Sequence, residues 1–106
     1  LIAQVTALAL HRHDRPRGVC HLTPRGETSW HGFACEIFRQ VAARGEALAI
    51  TPDNVAPIPT LEYPTPAQRP LNSRLCCHEL ERALGVALPG WQEQLALTLR
   101  ELEERI

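Results

Sequence analysis

Methionine and lysine are both absent from this chain of 106 residues. Because Leu1 is not an initiator methionine, we expect the chain to be a processed form or a piece of a longer protein. Every basic residue is Arg, and abundant Ala accompanies it. A Gly-rich phosphate loop is also missing, since the six glycines are too far apart to form one.

Strong charge of one sign and long apolar runs are missing as well. The formal net charge is −1, which does not favour nucleic acid or an acidic membrane surface as a partner. The longest apolar run, within residues 1–10, is too short to span a bilayer and lacks the basic flank of a signal peptide. Apolar content of 44% and charged content of 22% are typical of one globular domain with a core.

The four cysteines show no spacing that suggests a secreted disulfide framework. Adjacent Cys76 and Cys77 cannot easily bridge each other. These features predict a reducing, cytoplasmic setting.

Apolar periodicity predicts four helices. The first covers residues 1–12 and is amphipathic, and the second follows Thr28 or Ser29 as N-cap and stops at Gly45. The apolar face of this second helix is predicted to carry Trp30, Phe33, Ala34, Ile37, Phe38, Val41 and Ala42.

The two remaining predicted helices lie near the C-terminus. One covers residues 77–85, with Leu80, Ala83 and Leu84 facing inward and Gly85 ending it. The other begins with Pro89 near its first turn. Its apolar stripe is predicted to comprise Trp91, Leu95, Leu99, Leu102 and Ile106.

Short apolar runs predict strands at residues 19–23 and 47–50, with a further candidate at 55–59. A strand, a helix and a strand in this order form a right-handed βαβ unit with parallel strands. The predicted fold class is therefore α/β, with a two-stranded parallel βαβ core and flanking helices. Because parallel pairs usually belong to larger sheets, this small sheet also suggests that part of a larger protein is missing.

A proline-rich segment, "EYPTPAQRPLNSRL" at residues 62–75, separates the two halves of the chain. Its prolines exclude a helix and a central strand, and they lower the entropy cost of holding one shape. Arg69 has a planar, permanently charged fork suited to phosphate, and Asn72 and Ser73 add hydrogen-bonding groups beside it. Two interpretations remain open: a rigid loop for an anionic ligand, or a structural crossover in which Arg69 pairs with a carboxylate such as Glu62.

Other side chains allow other chemistry, but the ordinary interpretation is favoured for each. His31 and Cys35, together with residues 76–78, contain ligand types for zinc, although no Cys-x-x-Cys pair exists. A hydrolytic triad has only Asp14 and Asp53 as aspartates and no nucleophile on a recognisable elbow. A phosphate site at the end of the first helix would use His11, Arg12, His13, Arg15 and Arg17, where a solvated helix end is the simpler interpretation.

Three stretches, "GVCHLTPRGETSWHGFACEIF", "PIPTLEYPTPAQRPLNSRL" and "LERALGVALPGWQEQL", closely resemble the C-terminal third of the dTDP-4-dehydrorhamnose reductase family. This family belongs to the extended short-chain dehydrogenase/reductase superfamily. The resemblance covers nearly the whole chain in matching order. Its most specific feature is Gly-Glu-Thr-Ser-Trp paired with Tyr-Pro-Thr-Pro-Ala-x-Arg-Pro-x-Asn-Ser.

The resemblance implies that residues 1–106 form the C-terminal substrate-binding domain of a reductase. The resemblance implies that a missing N-terminal Rossmann domain binds NADPH and supplies the catalytic Tyr and Lys. This chain is therefore expected to hold no catalytic, cofactor-binding or metal-binding residue, and to be inactive alone. Some family members dimerise around a Mg²⁺ ion held by glutamates. The resemblance therefore allows Mg²⁺ and a homodimer for the parent protein, but it does not identify any Glu of this chain as a ligand. The substrate-binding residues carried over by position, for a dTDP-sugar, are Trp30, Tyr63, Arg69, Asn72 and Ser73.

The chain departs from the family pattern at Leu61, where Ser is usual, and at Cys76, where Asp is usual. An Asp at position 76 would cap the following helix, so its absence is expected to cost about 1 kcal/mol. Two alternative functions remain: a lobe of another sugar-nucleotide epimerase or dehydratase, and a non-catalytic binding or interaction module. If a Rossmann domain is missing, the first helix and one face of the proline-rich segment should expose apolar surface.

Overall fold

The computed structural model describes residues 1–14 and 17–105, and four α-helices dominate this part of the chain. They are α1 (Ile2–Leu10), α2 (Trp30–Ala43), α3 (His78–Leu84) and α4 (Trp91–Glu104). The four predicted helices are therefore confirmed, with ends that shift by one or two residues. No helix among the described residues is both long enough and apolar enough to cross a membrane.

The ends of α2 follow from local side-chain chemistry. The Ser29 hydroxyl accepts a hydrogen bond from the Gly32 backbone N–H at 3.0 Å, which satisfies one of the donors left open in the first turn. At the other end, Gly45 follows the C-cap with φ of +89°, a conformation that strains any residue with a side chain. Both predicted boundaries of this helix are confirmed.

The described chain divides into two compact units. The first comprises Leu1–Gly26 and Arg74–Gln94. Its buried core consists of Leu80 and Leu84 on α3 and Leu88 just beyond it. Gly85 ends α3 in the left-handed conformation, as predicted. A single parallel bridge joins Arg25 to Gly90, immediately before α4.

The second unit comprises Glu27–Ser73 and the chain from Leu95 onward. Arg44 joins the end of α2 to α4 within this unit. Its guanidinium donates to the Glu103 carboxylate at 2.7 Å and to the Ala96 carbonyl at 2.8 Å. Leu95 is the buried apolar residue here, and the 3-10 turn Pro52–Asn54 packs against α2.

The predicted βαβ core is not observed, since none of residues 19–23, 47–50 and 55–59 forms a strand in the described structure. Backbone groups that a sheet would need are engaged elsewhere. The Thr23 N–H donates to the Cys77 sulfur, and the Val55 carbonyl accepts from the His31 ring. Pro57 and Pro59 have no N–H to offer. Helices and irregular segments therefore replace the expected α/β arrangement within this chain.

The predicted apolar faces are only partly buried. Trp30 is 88% exposed and Leu102 is 52% exposed, whereas Phe33, Ile37 and Leu99 are half-buried. Trp30 was therefore wrongly placed on a packed face. Ile106, the last residue of the predicted α4 stripe, lies outside the described residues.

Candidate functional site

The first candidate stretch, Glu27–Trp30, forms the entry to α2. A Cβ at Gly32 would meet the Thr28 hydroxyl, which would have to rotate away. Thr28 and Ser29 thus shape the first turn, one by filling space and the other by capping. The exposed Trp30 ring lies edge to face against Phe33, at a centroid distance of 6.4 Å.

The second candidate stretch, residues 62–75, has neither helix nor strand beyond the end of a 3-10 turn, Thr60–Glu62. This agrees with the sequence prediction of an irregular, extended segment. All residues from 62 to 75 are exposed. Inside the segment, the Thr65 hydroxyl donates to the Ala67 carbonyl at 2.7 Å. The prolines and this local bond fix the chain without the support of a sheet.

Arg69 is exposed, and its guanidinium makes no hydrogen bond or ion pair with any described residue. Glu62 has no ion pair in the described chain either, so the crossover interpretation with an Arg69–Glu62 pair is wrong. Permanent charge without a carboxylate partner leaves the fork of Arg69 available to an anion.

The structure places four of the sequence-predicted site residues on one segment. Tyr63 (69% exposed), Arg69, Asn72 and Ser73 all lie on the exposed proline-rich segment, and Asn72 already has a polar partner. Trp30 lies on α2 in the same compact unit, but no described hydrogen bond or ring contact joins it to the other four. Their assembly into one binding site therefore stays a prediction.

Sequence reasoning missed a contact between His31, the residue after Trp30, and the chain that leads to the second stretch. Its Nε2 donates to the Val55 carbonyl at 2.8 Å and lies 3.5 Å from the Cys35 sulfur. The Cys35 thiol in turn faces the Pro52 carbonyl at 4.0 Å. Helix α2 therefore holds the turn that precedes the proline-rich segment. The pairing of His31 with Cys35 was visible in the sequence, but the carbonyl partner 24 residues away was not.

The zinc interpretation gains no support from the structure. No group of three His, Cys, Asp or Glu side chains in the described chain is arranged to hold a metal ion. Cys76 and His78 do approach each other, with 3.5 Å between Sγ and Nδ1, while Cys77 is occupied with Thr23. All four cysteines are free thiols.

Two groups of the phosphate interpretation at the end of α1, those of His11 and Arg12, are engaged in local contacts. His11 donates through Nδ1 to the Ala7 carbonyl at 2.7 Å. Arg12 pairs with Asp14 at 3.1 Å and reaches the Leu84 carbonyl at 3.5 Å. The Arg12 guanidinium thereby lowers the pKa of Asp14. Arg15, the fourth residue of that group, lies outside the described residues, and this region fits a helix end tied to α3.

The expected effect of Cys76 on capping needs a correction. The N-cap of α3 is Cys77, one residue later, and it makes no side-chain cap bond. An Asp at position 76 would thus precede the cap, so the estimated loss of about 1 kcal/mol does not apply to Cys76. Cys77 instead packs its sulfur against the backbone and hydroxyl of Thr23.

Besides Asp14, two further carboxylates have lowered pKa values, and each is held by hydrogen bonds that stabilise the fold. Hydrogen bonds from Arg39 and then Gln40 lower the pKa of Glu36 on α2 to about 2. A hydrogen bond from Arg25 lowers the pKa of Glu81, whose carboxylate also accepts from the Leu88 N–H at 3.3 Å. Neither carboxylate lies on the proline-rich segment, so neither points to acid or base chemistry there.

Comparison with known families identifies the class. The family model of the RmlD substrate binding domain matches residues 1–104. The chain therefore belongs to the RmlD substrate-binding domain family, which confirms the resemblance seen in its motifs.

Three of the individual relatives share the name dTDP-4-dehydrorhamnose reductase. The chain is 41% identical over 108 residues to dTDP-4-dehydrorhamnose reductase of Burkholderia thailandensis, covering 95% of this chain and 36% of that protein. It is 38% identical over 105 residues to the same-named protein of Escherichia coli, covering 96% of this chain and 34% of that protein. With the protein of that name from Sinorhizobium fredii it shares 44% identity over 77 residues, covering 73% and 25% of the two chains. This chain thus spans about a third of the Burkholderia and Escherichia proteins.

Proposed function

We propose that this chain is the dTDP-sugar-binding part of an NADPH-dependent reductase that converts dTDP-4-dehydro-L-rhamnose to dTDP-L-rhamnose in the cytoplasm. The observation that carries the proposal is the family match over residues 1–104, together with reductase relatives that cover 95–96% of the chain. Because the chain spans about a third of those relatives, the reaction is proposed for a longer protein that contains it.

Arg69 is proposed to bind the diphosphate of the nucleotide sugar. Its exposed guanidinium has no carboxylate partner among the described residues, and a diphosphate offers the oxygens that such a fork binds in pairs. Ser73 lies close along the chain and can add a hydroxyl donor. Tyr63 and Trp30 present exposed rings suited to stacking on a base or packing on a sugar.

NADPH is proposed to bind outside this chain. The residues present do not fit a dinucleotide: the chain has no Gly-rich loop and no Lys, and no strand–turn–helix unit occurs in its described part. We therefore assign no cofactor-binding or catalytic residue to these 106 residues, and we expect no turnover from them alone. A missing Rossmann domain and a homodimer of the whole protein both remain predictions.

A titration of dTDP into the isolated chain, followed by NMR chemical shifts, tests the binding role. We expect weak, millimolar binding, with the largest shifts in residues 62–75, because only part of a cleft is present. Arg69→Gln should abolish these shifts. Arg100→Gln is the matched control, since Arg100 is also exposed and has no partner among the described residues, and it should bind as the wild type does. Equal loss in both variants would indicate non-specific charge attraction.

A coupled NADPH-oxidation assay with dTDP-4-dehydro-L-rhamnose tests the assignment of catalysis. The isolated chain should show no turnover above buffer, and a full-length protein containing it should be active. Turnover by the isolated chain would show that it holds a complete active site and would overturn the proposal.

A further inference from the structure

We infer that His31 is a positioning residue that fixes the chain ahead of the proline-rich segment, at Val55, on helix α2, and this inference rests on the proposed function of that segment. The hydrogen bond from His31 Nε2 to the Val55 carbonyl measures 2.8 Å. His31 directly follows Trp30 at the start of α2, and Val55 directly follows the 3-10 turn Pro52–Asn54. One side chain at the start of α2 therefore holds the chain at Val55, ahead of the proline-rich segment.

The His31 bond is the last long-range attachment before the site. From residue 56 to residue 71, every hydrogen bond in the described chain is local: Glu62 to Pro59, Tyr63 to Thr60, and Thr65 to Ala67. No strand ladder holds this stretch, and all of it is exposed. On the N-terminal side of Tyr63 and Arg69, the contact that sets their place relative to α2 is therefore the one at Val55.

The prolines make this single attachment effective. They stand at positions 57, 59, 64, 66 and 70. Each fixes one backbone angle, so a displacement at Val55 is carried along a stiff chain rather than absorbed by free rotation. In a Gly/Ser-rich chain of this length, the same hydrogen bond would have little influence on Arg69.

The surroundings of His31 fix the role of its ring. Val55 uses its N–H in the turn, donating to the Pro52 carbonyl at 3.1 Å, so its carbonyl is the group left for a side chain. Because the Val55 carbonyl only accepts, Nε2 must carry the proton, and the nearby Cys35 sulfur is 3.5 Å away as a weak second acceptor. An imidazole with a protonated Nε2 can donate whether its charge is neutral or positive.

Three variants of the 106-residue chain test the inference. His31→Ala removes the donor. His31→Gln places an amide N–H the same number of bonds from the backbone as Nε2 and should restore the contact. His21→Ala is the control, because His21 is exposed and makes no hydrogen bond with a described residue. For each variant we would measure the thermal midpoint, the backbone ¹⁵N heteronuclear NOE from Val55 to Arg69, and the affinity for dTDP.

We expect His31→Ala to lower the NOE values from Val55 to Arg69. It should also weaken dTDP binding about threefold to tenfold, because the more mobile chain must be ordered again when the ligand binds. His31→Gln should recover most of both, and His21→Ala should change neither. Unchanged NOE values and affinity in His31→Ala would overturn the inference, as would a loss of affinity that follows only the thermal midpoint. If the wild-type chain does not bind dTDP, the proposed function fails, and the NOE comparison still decides whether His31 fixes the segment.

Discussion

Gly26 has a positive φ and lies against Trp91, and replacing it with Ala should destabilise the protein strongly. Its φ is +91°, and a Cβ built there would lie 2.9 Å from Cδ1 of the Trp91 ring. Hydrogen bonds hold the backbone on both sides of this contact, so the two chains cannot easily move apart. The Arg25 N–H donates to the Pro89 carbonyl at 2.8 Å, and the Trp91 N–H donates to the Arg25 carbonyl at 3.0 Å.

Two costs add in Gly26→Ala. A residue with a Cβ in the left-handed region costs about 1–2 kcal/mol. Forcing an extra methyl against a packed ring costs about 1–3 kcal/mol more. The expected loss in the free energy of unfolding is therefore about 2–5 kcal/mol, a large share of the roughly 5–15 kcal/mol that stabilises a domain.

Gly45→Ala separates these two costs. Gly45 has nearly the same φ, +89°, but a Cβ there meets nothing within 4 Å. It should therefore lose only the conformational term, about 1–2 kcal/mol. Urea unfolding followed by tryptophan fluorescence gives both values under the same conditions.

The difference between the two glycine variants tests the contact with Trp91. Equal losses in Gly26→Ala and Gly45→Ala would refute the steric argument. If Gly26→Ala does not fold, the same substitution in a Trp91→Ala background still tests whether contact with the Trp91 ring causes the extra cost. There the ring is gone, and the added cost of Gly26→Ala should fall to the conformational term. A cost that stays above this value would locate the strain elsewhere in the turn.

Two smaller effects should be measurable in α2. Ser29→Ala removes the N-cap bond to the Gly32 N–H and should lower the free energy of unfolding in urea by about 1 kcal/mol. Ser73→Ala is the control, because the Ser73 side chain has no bond in the described chain, and it should be neutral. Equal effects of the two variants would contradict the capping role of Ser29. The Arg39 hydrogen bond lowers the pKa of Glu36 to about 2 from its ordinary 4.5, so its stabilisation is present above 4.5 and is lost as the pH falls to about 2. Between pH 4.5 and about 2, the free energy of unfolding of the wild type should fall further than that of Glu36→Gln. The difference should be less than about 1 kcal/mol, because Arg39 is exposed. The same fall in both proteins would contradict the expected role of this ion pair.

The helices could be predicted because their determinants are local. The cap at Ser29 and the glycines after α2 and α3 act within a few residues of the helix ends. The strands could not be judged in the same way, because a strand exists only if its backbone groups find a second strand. Thr23 and Val55 lie in apolar runs typical of strands, yet a cysteine sulfur and a histidine ring take their backbone groups.

The candidate site was predictable in its position along the chain but not in its attachment. Prolines around Arg69 indicated a stiff, exposed segment, and the structure describes one without helix or strand. The lack of an ion partner for Arg69 could not be predicted, because Glu62 was available nearby in sequence. Nor could the His31–Val55 bond, which depends on how α2 meets a turn more than twenty residues away.

A stiff segment with an exposed cation is a poor means of stabilising a fold, which strengthens the case for binding. Exposed ion pairs contribute under about 1 kcal/mol, and Arg69 lacks even such a pair among the described residues. Leu61 and Leu71, 94% and 90% exposed, lie just before and within the same stretch and bury almost no apolar surface. Small-molecule sites cover most of their ligand, so a single exposed segment can supply only one wall. We therefore expect the affinity for dTDP to rise sharply when the remaining length of the reductase is present, whereas affinity equal to that of the isolated chain would mean that the segment binds without a second wall.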